Sequence, residues 1–222
     1  METFFSGTGP TYDHIVGLTT LGQDARWKKL ILKQIPAGST RIVDQACGTG
    51  ILTFQIAKRF PLARVIGVEL RDEYLSLARR KAKHAGLTNV EFILGRAEDV
   101  VLEPGVDCIV SSYLAKYADL PVLIAGAKAM LRPGGILAMH DFAPTRDRSF
   151  GGLGAFYFIL LRAYSRWRYP EWETIFRELP ELMLRTNWPG HLAGQLASQG
   201  FADIRTQALS GNIAALVTAR KE

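Results

Sequence analysis

A chain of 222 residues that is 48% hydrophobic and 22% charged buries roughly 70% of the surface it exposes when unfolded, so a single domain over 1–222 suffices. Its two cysteines, Cys47 and Cys108, lie in predicted buried segments, which argues against a disulfide framework, and no Cys/His spacing implies a metal. The net charge of +6 suits nucleic acid, anionic lipid or plain solubility, but no RNA- or DNA-binding module is recognisable, no charged region precedes an N-terminal apolar stretch, and the longest apolar run, Leu153 to Leu161, falls short of the roughly 20 residues that span a bilayer.

In chain order, residues 1–36 read as an N-terminal cover, with Trp27, Leu30, Ile31 and Ile35 at helical spacing and Pro36-Ala37-Gly38 ending the run. The core, 37–141, alternates. Strands are predicted near 41–46, 65–69, 90–94, 106–111 and 135–141, and helices near 51–60, 72–84 and 119–130, a pattern that builds a parallel sheet covered on both faces. Residues 142–190 form an insertion in which acceptor specificity is expected: a polar, glycine-rich connection from Pro144 to Gly154, aromatics from Phe150 to Trp167, and breaks at Pro170 and Pro180. Within it, Leu161 to Tyr169 interleaves arginines with aromatic rings, an arrangement suited to an anionic membrane surface and equally to a solvated helix face. Residues 191–222 supply a helix, His191–Gln199, and strands Phe201–Ala208 and Ile213–Thr218 joined as an antiparallel hairpin by Ser210-Gly211-Asn212.

The chemistry concentrates after the first strand, in Asp44-Gln45-Ala46-Cys47-Gly48-Thr49-Gly50. Glycines there let the backbone turn sharply beneath a ligand. Thr53 stands where a dinucleotide fingerprint has its third glycine, and Asp44 would repel a pyrophosphate but accept a hydrogen bond from an ammonium group. Glu69, ending the second strand, sits where an acidic residue holds ribose hydroxyls. The pair implies a nucleoside that carries positive charge.

On these residues the stretch Ile42 to Glu69 resembles the cofactor half of a class I S-adenosylmethionine-dependent methyltransferase. Gly95-Arg96-Ala97-Glu98 is similar to that family's adenine loop, and Leu131 to Gly135 to the turn before its fifth strand. The flanks, Tyr12-Asp13-His14-Ile15-Val16 to Lys29 and the final hairpin, resemble the ubiquinone/menaquinone C-methyltransferases. The resemblance implies a Rossmann-like α/β fold with a mostly parallel seven-stranded sheet, helices on both faces and a C-terminal antiparallel hairpin. It implies S-adenosyl-L-methionine as cofactor, held by Asp44, Ala46, Gly48, Thr49, Gly50, Glu69, Leu70, Ala97, Glu98 and Ser111.

Two departures from the family stand out. Arg96 replaces an aspartate that accepts from the adenine amino group, and an Arg-Asn pair after the fourth strand becomes Ala115-Lys116. Lys116, His140 at the end of the fifth strand and His14 in the cover are the candidate catalytic residues, and Tyr12, Tyr113 and Tyr157 are candidates for an aromatic acceptor pocket. The expected activity is methyl transfer to an apolar small molecule in the cytoplasm, with a peripheral membrane contact, and a quinol ring carbon is the first acceptor implied. N- or O-methylation of another small molecule or lipid headgroup, and a non-catalytic cofactor-binding scaffold, stay open.

Overall fold

Buried β-branched runs flanked by amphipathic helices condense into one seven-stranded sheet in the order β3-β2-β1-β4-β5-β7-β6. The computed structural model describes residues 7–143 and 148–222, and the side chains of these except 148–155, 158, 180 and 182–185. Strands β1 (Arg41–Gln45), β2 (Arg64–Glu69), β3 (Val90–Leu94), β4 (Val106–Ser112) and β5 (Leu131–Phe142) run parallel. β7 (Ala214–Lys221) pairs antiparallel with β5, and β6 (Phe201–Leu209) antiparallel with β7. The chain runs outward from β1 through β3 and returns to β4 on the other side. The carboxyl ends of β1 and β4 thus form the switch point at which ligands of open α/β sheets bind.

Helices α1 (Tyr12–Thr19) and α2 (Gln23–Gln34) precede the sheet, and α3 (Ile51–Arg59), α4 (Asp72–His84) and α5 (Leu120–Met130) are its crossovers. One apolar layer packs Ile31, Ile56 and Phe60 on Ile42, Val65 and Val110. The other packs Leu123, Ile124 and Leu192 on Val43, Ile109 and Leu137. The crossovers therefore cover opposite faces, as the alternation requires.

The insertion departs furthest from expectation. The connection predicted over 144–154 is instead the start of helix α6 (Arg148–Arg168), with 144–147 outside the described residues. Helix α7 (Glu173–Arg185) runs through Pro180 rather than breaking there, while Pro170 does interrupt the chain, opening a single 3-10 turn between α6 and α7. Packing explains the persistence of these helices. Leu161, Trp172, Ile175 and Phe176 form a third apolar cluster with Ile15 of the cover, and that burial outweighs weak local propensity. Helix α8 (Trp188–Ser198) also starts three residues before its predicted His191, because Pro189 falls in its first turn, where a missing N–H costs nothing. β5 likewise starts at Leu131 rather than 135, since Leu131 pairs with Val106 and a register shift absorbs the turn that follows.

Candidate active site

The turn after β1 is built around two buried carboxylates. Ile42 and Val43 anchor β1 in the two apolar layers, which carries Asp44 to the sheet's carboxyl edge, 1% exposed. Thr53 of α3 donates to Asp44 Oδ2 at 2.6 Å. Burial nevertheless dominates and pushes the Asp44 carboxyl up to about 7. Glu69 accepts from the Gly48 backbone N–H and from that of Arg71, each at 2.9 Å. Burial raises its pKa as well, against those two hydrogen bonds.

Ala46 and Gly48 both adopt φ of +58°, bending the backbone up beside Glu69. For an alanine this is strain, of the kind found where a binding surface dictates backbone shape. The Gly48 Cα faces open space, with only the Tyr74 ring within 4 Å of where a Cβ would stand. Gly50 is different. At φ +90° it caps α3, and a Cβ there would meet the Phe54 ring at 2.4 Å. It lines no part of the cavity described next, and the structure gives it a structural role. Gly50→Ala is expected to destabilise the fold by about 2 kcal/mol or more, read as a lower urea midpoint, with the cofactor dissociation constant unchanged where the variant is folded.

Above the turn lies a cavity of about 1330 Å³. Ala46, Gly48, Val68, Glu69, Leu70, Tyr74, Ala97 and Glu98 wall one end of it, and Tyr157, Leu161, Trp172, Ile175, Phe176 and Leu179 wall the other. Ser112, Tyr113 and Lys116 lie between, at the end of β4. Single-ligand sites usually enclose about 300–1,000 Å³, so this cavity has room for a cofactor and an acceptor together. A pit of about 20 Å³ beneath the turn is lined by Lys28, Asp44, Thr49 and Tyr12. Tyr12, Tyr113 and Tyr157 all reach the main cavity. The adenine-loop departure is visible too: Arg96 lines the wall beside Glu98, whose Oε1 accepts from the Asp119 backbone N–H at 3.2 Å.

Several of the sequence candidates take other places. His140 lines neither space; it is 1% exposed, with Trp27 and Tyr113 rings each 5.2 Å from its own. Its Nδ1 lies 3.0 Å from the Ser112 hydroxyl, its register neighbour, and burial holds the imidazole neutral, well below its ordinary pKa; its position behind the wall, out of contact with the cavity, separates it from the expected base role. His14 is exposed, its ring 5.8 Å from that of Tyr169, outside the cavity. Ser111 is buried with an unpartnered hydroxyl and does not line the cavity; the next residue, Ser112, does. Thr49 lines only the pit and donates to Asp13 of the cover.

Lys116 does reach the cavity, but its ammonium is paired with Asp141 at the end of β5, and both side chains are buried. Burial presses the lysine pKa down and the aspartate pKa up, and each partner opposes that on the other. The amine also sits 4.6 Å from the centre of the Tyr117 ring. Here it is a fixed, satisfied charge.

Sequence reading missed a second buried pair, Asp24 and Lys28 on one turn of α2. The Tyr113 hydroxyl donates to Asp24 Oδ1 at 2.8 Å, and Tyr113 itself holds φ +69°. The i, i+4 spacing beside Trp27 was the available signal, but nothing local tied it to residue 113.

A profile of the methyltransferase domain family matches residues 37–158. A demethylmenaquinone methyltransferase from Thermus thermophilus is 30% identical over 96% of this chain and 97% of its own. The ubiquinone/menaquinone C-methyltransferase UbiE of a Geobacter species is 26% identical over 100% and 96%. The chain belongs to the UbiE-like class I S-adenosylmethionine-dependent methyltransferases. Among solved structures, a geranyl diphosphate C-methyltransferase from Streptomyces coelicolor superposes with a TM-score of 0.67 at 14% identity, over 89% of this chain and 76% of that one. A methyltransferase from Aquifex aeolicus superposes at 0.62 with 17% identity, over 88% and 89%. Both have this fold.

This methyltransferase is thus an S-adenosylmethionine enzyme, and its turn fits that cofactor. Asp44 is a desolvated carboxylate on the pit beneath the turn, its charge opposed by burial and favoured by Thr53 and, more weakly, by Lys28, so a further cation at the turn suits it. The open face of Gly48 admits a ligand where any side chain would intrude. Glu69 borders the same space.

Proposed function

We propose that this methyltransferase methylates a ring carbon of a membrane-derived quinol, working from the cytoplasm at the membrane surface. The observation that carries this reading is the second, aromatic and aliphatic end of the cavity, continuous with the cofactor turn and walled by α6 and α7. The names of its relatives support the same acceptor class.

In this reading Asp44 meets the cofactor's ammonium, Glu69 its ribose, and Leu70, Ala97 and Glu98 its adenine, with Gly48 beneath. When bound, S-adenosylmethionine supplies a methyl group made electrophilic by its sulfonium. The chain's own contribution is alignment and exclusion of water, and alignment of this kind lowers a barrier by about 7–11 kcal/mol. Tyr113 positions the acceptor. Burial and the neighbouring Asp24 raise its pKa well above the ordinary value, so it remains a neutral phenol. With its O–H engaged in a hydrogen bond to Asp24, its oxygen is left to accept from an acceptor hydroxyl. That interaction draws electron density from the O–H bond into the ring that must attack. Tyr113→Phe is expected to lower kcat/KM by about tenfold to a hundredfold with cofactor affinity unchanged, measured by steady-state kinetics and calorimetry.

The test is transfer of a labelled methyl group from S-adenosylmethionine to a demethylquinol, with the oxidised quinone as control. Label in the reduced acceptor alone supports the proposal; label in neither, beside intact cofactor binding, retires it. One observation favours the second reading, N- or O-methylation of another acceptor. Ala115 is buried and Lys116 is committed to Asp141, so the family's Arg-Asn pair has no working counterpart here.

A further inference from the structure

Helix α6 has two faces with different duties. Leu161 and Ser165 are buried beneath it, and Tyr157 and Leu161 wall the cavity. On the opposite side Phe156, Ile159, Leu160, Tyr164 and Trp167 are exposed, Ile159 at 63% and Trp167 at 81%. At 100° per residue these five fall on one stripe along the helix. Exposed Arg166 and Arg168 flank the stripe on its two sides, and no carboxylate occurs on α6 between Phe156 and Arg168. The Tyr157 hydroxyl donates to the Thr19 carbonyl oxygen at 2.9 Å, tying α6 to the turn that carries exposed Leu18 and Leu21. Leu21, 74% exposed, is also a lining residue of the cavity.

We propose that this stripe is a membrane-docking surface: α6 lies in the headgroup layer of an anionic bilayer, with Leu21 beside it, and the cavity takes its acceptor directly from the lipid phase. The chemistry singles out a bilayer. Tyrosine, tryptophan and arginine together match the polar–apolar boundary of a lipid leaflet, where rings sit at headgroup level and guanidinium groups meet lipid phosphates. The chain's net charge of +6 favours the same anionic surface. A second copy docked stripe to stripe would bring arginines together with no acidic side chain between Phe156 and Arg168 to receive them. The long side chain of a membrane-resident acceptor also explains the arrangement, since a helix exposed to lipid on one face and to the cavity on the other spares that chain a passage through water. The inference extends the quinol reading and rests on different residues.

The test is co-sedimentation of the full chain with phosphatidylcholine vesicles, with and without added phosphatidylglycerol, needing neither acceptor nor cofactor. The wild-type chain is expected to partition onto the mixed vesicles and weakly onto the neutral ones. Ile159→Glu/Trp167→Glu is expected to lower that partitioning roughly tenfold or more, while leaving the urea midpoint of the soluble chain unchanged. Arg166→Gln/Arg168→Gln is expected to remove the preference for anionic lipid. A wild-type chain that stays in solution with both vesicles overturns the proposal. So do variants that sediment like the wild type, or a wild-type dimer in sedimentation velocity that the glutamate variant splits while vesicles bind neither. Because no acceptor is present, failure here leaves the quinol assay standing, and failure of that assay leaves vesicle binding to be judged alone.

Discussion

Asp44→Asn is expected to make the ligand-free protein more stable at pH 8 and, in the same molecule, to remove most of its affinity for S-adenosylmethionine. The folded-state pKa of Asp44 stands at about 7 against an ordinary 3.8, so the folded chain holds this proton more tightly than the unfolded one. Stability linked to the group is therefore present below about pH 4 and is lost as pH rises through 7. Keeping this carboxylate ionised in the folded chain above pH 7 costs on the order of 4 kcal/mol. Asparagine removes the ionisation and keeps an acceptor for Thr53. Urea unfolding at pH 5 and pH 8 should show the variant's advantage at both and more than twice as large at the higher pH, since at pH 5 only about 1.6 kcal/mol of the linked stability has been lost. Binding runs the other way, because the ammonium partner needs the carboxylate. Wild-type affinity should weaken about tenfold for each pH step of about one below 7, and the variant should show a flat, low affinity. A wild-type binding profile without an inflection near neutrality would contradict the role assigned to Asp44.

The second large effect is expected at the pair behind the cavity. Lys116→Met leaves Asp141 in a site with no exposure, holding only backbone hydrogen bonds from Phe142 at 2.7 Å and Lys116 at 3.5 Å. Breaking a buried pair from one side costs about 3–5 kcal/mol. Adding Asp141→Asn should recover most of that loss, since the neutral amide needs no cation and its oxygen still accepts from Phe142. The deficit of the single variant should also shrink as pH falls, because Asp141 then takes a proton. Denaturant titrations of the two variants at two pH values check both statements. Were Lys116 instead a free cation acting on the acceptor, the single variant would lose turnover with little stability, and the second substitution would restore nothing.

The sheet and its cofactor edge were legible in the sequence because their causes are local. A buried strand, a turn and a helix in succession put Asp44, Gly48 and Glu69 at one edge whatever the rest of the chain does. What was not legible depends on which surface covers which. On β5, alternation does not reveal that Trp27 from α2 and Tyr113 from the β4 loop close over His140. Ser111 and Ser112 differ by one position on β4, and that single step decides which serine lines the cavity. Gly50 and Gly48 look alike in a motif, yet the Phe54 ring beside one and open space beside the other separate a packing glycine from one that faces the cavity. Lys116 and Asp141 meet because β4 and β5 are sheet neighbours, and Asp24 meets Tyr113 only because the cover folds back over the switch point. The glycines before Leu161 read as a loop, because the burial that holds α6 helical comes from Ile15 and Trp172, distant in sequence.

If the far end of the cavity presents a quinol ring carbon to the cofactor end, the methyl group must arrive on carbon. Carbon NMR of the product formed from an isotopically labelled methyl donor and a demethylquinol reads this without ambiguity. The expected spectrum places the label at the shift of an aryl methyl group, on a ring carbon. A label found at the shift of a methoxy group, or no labelled ring from an enzyme that binds its cofactor, would contradict it.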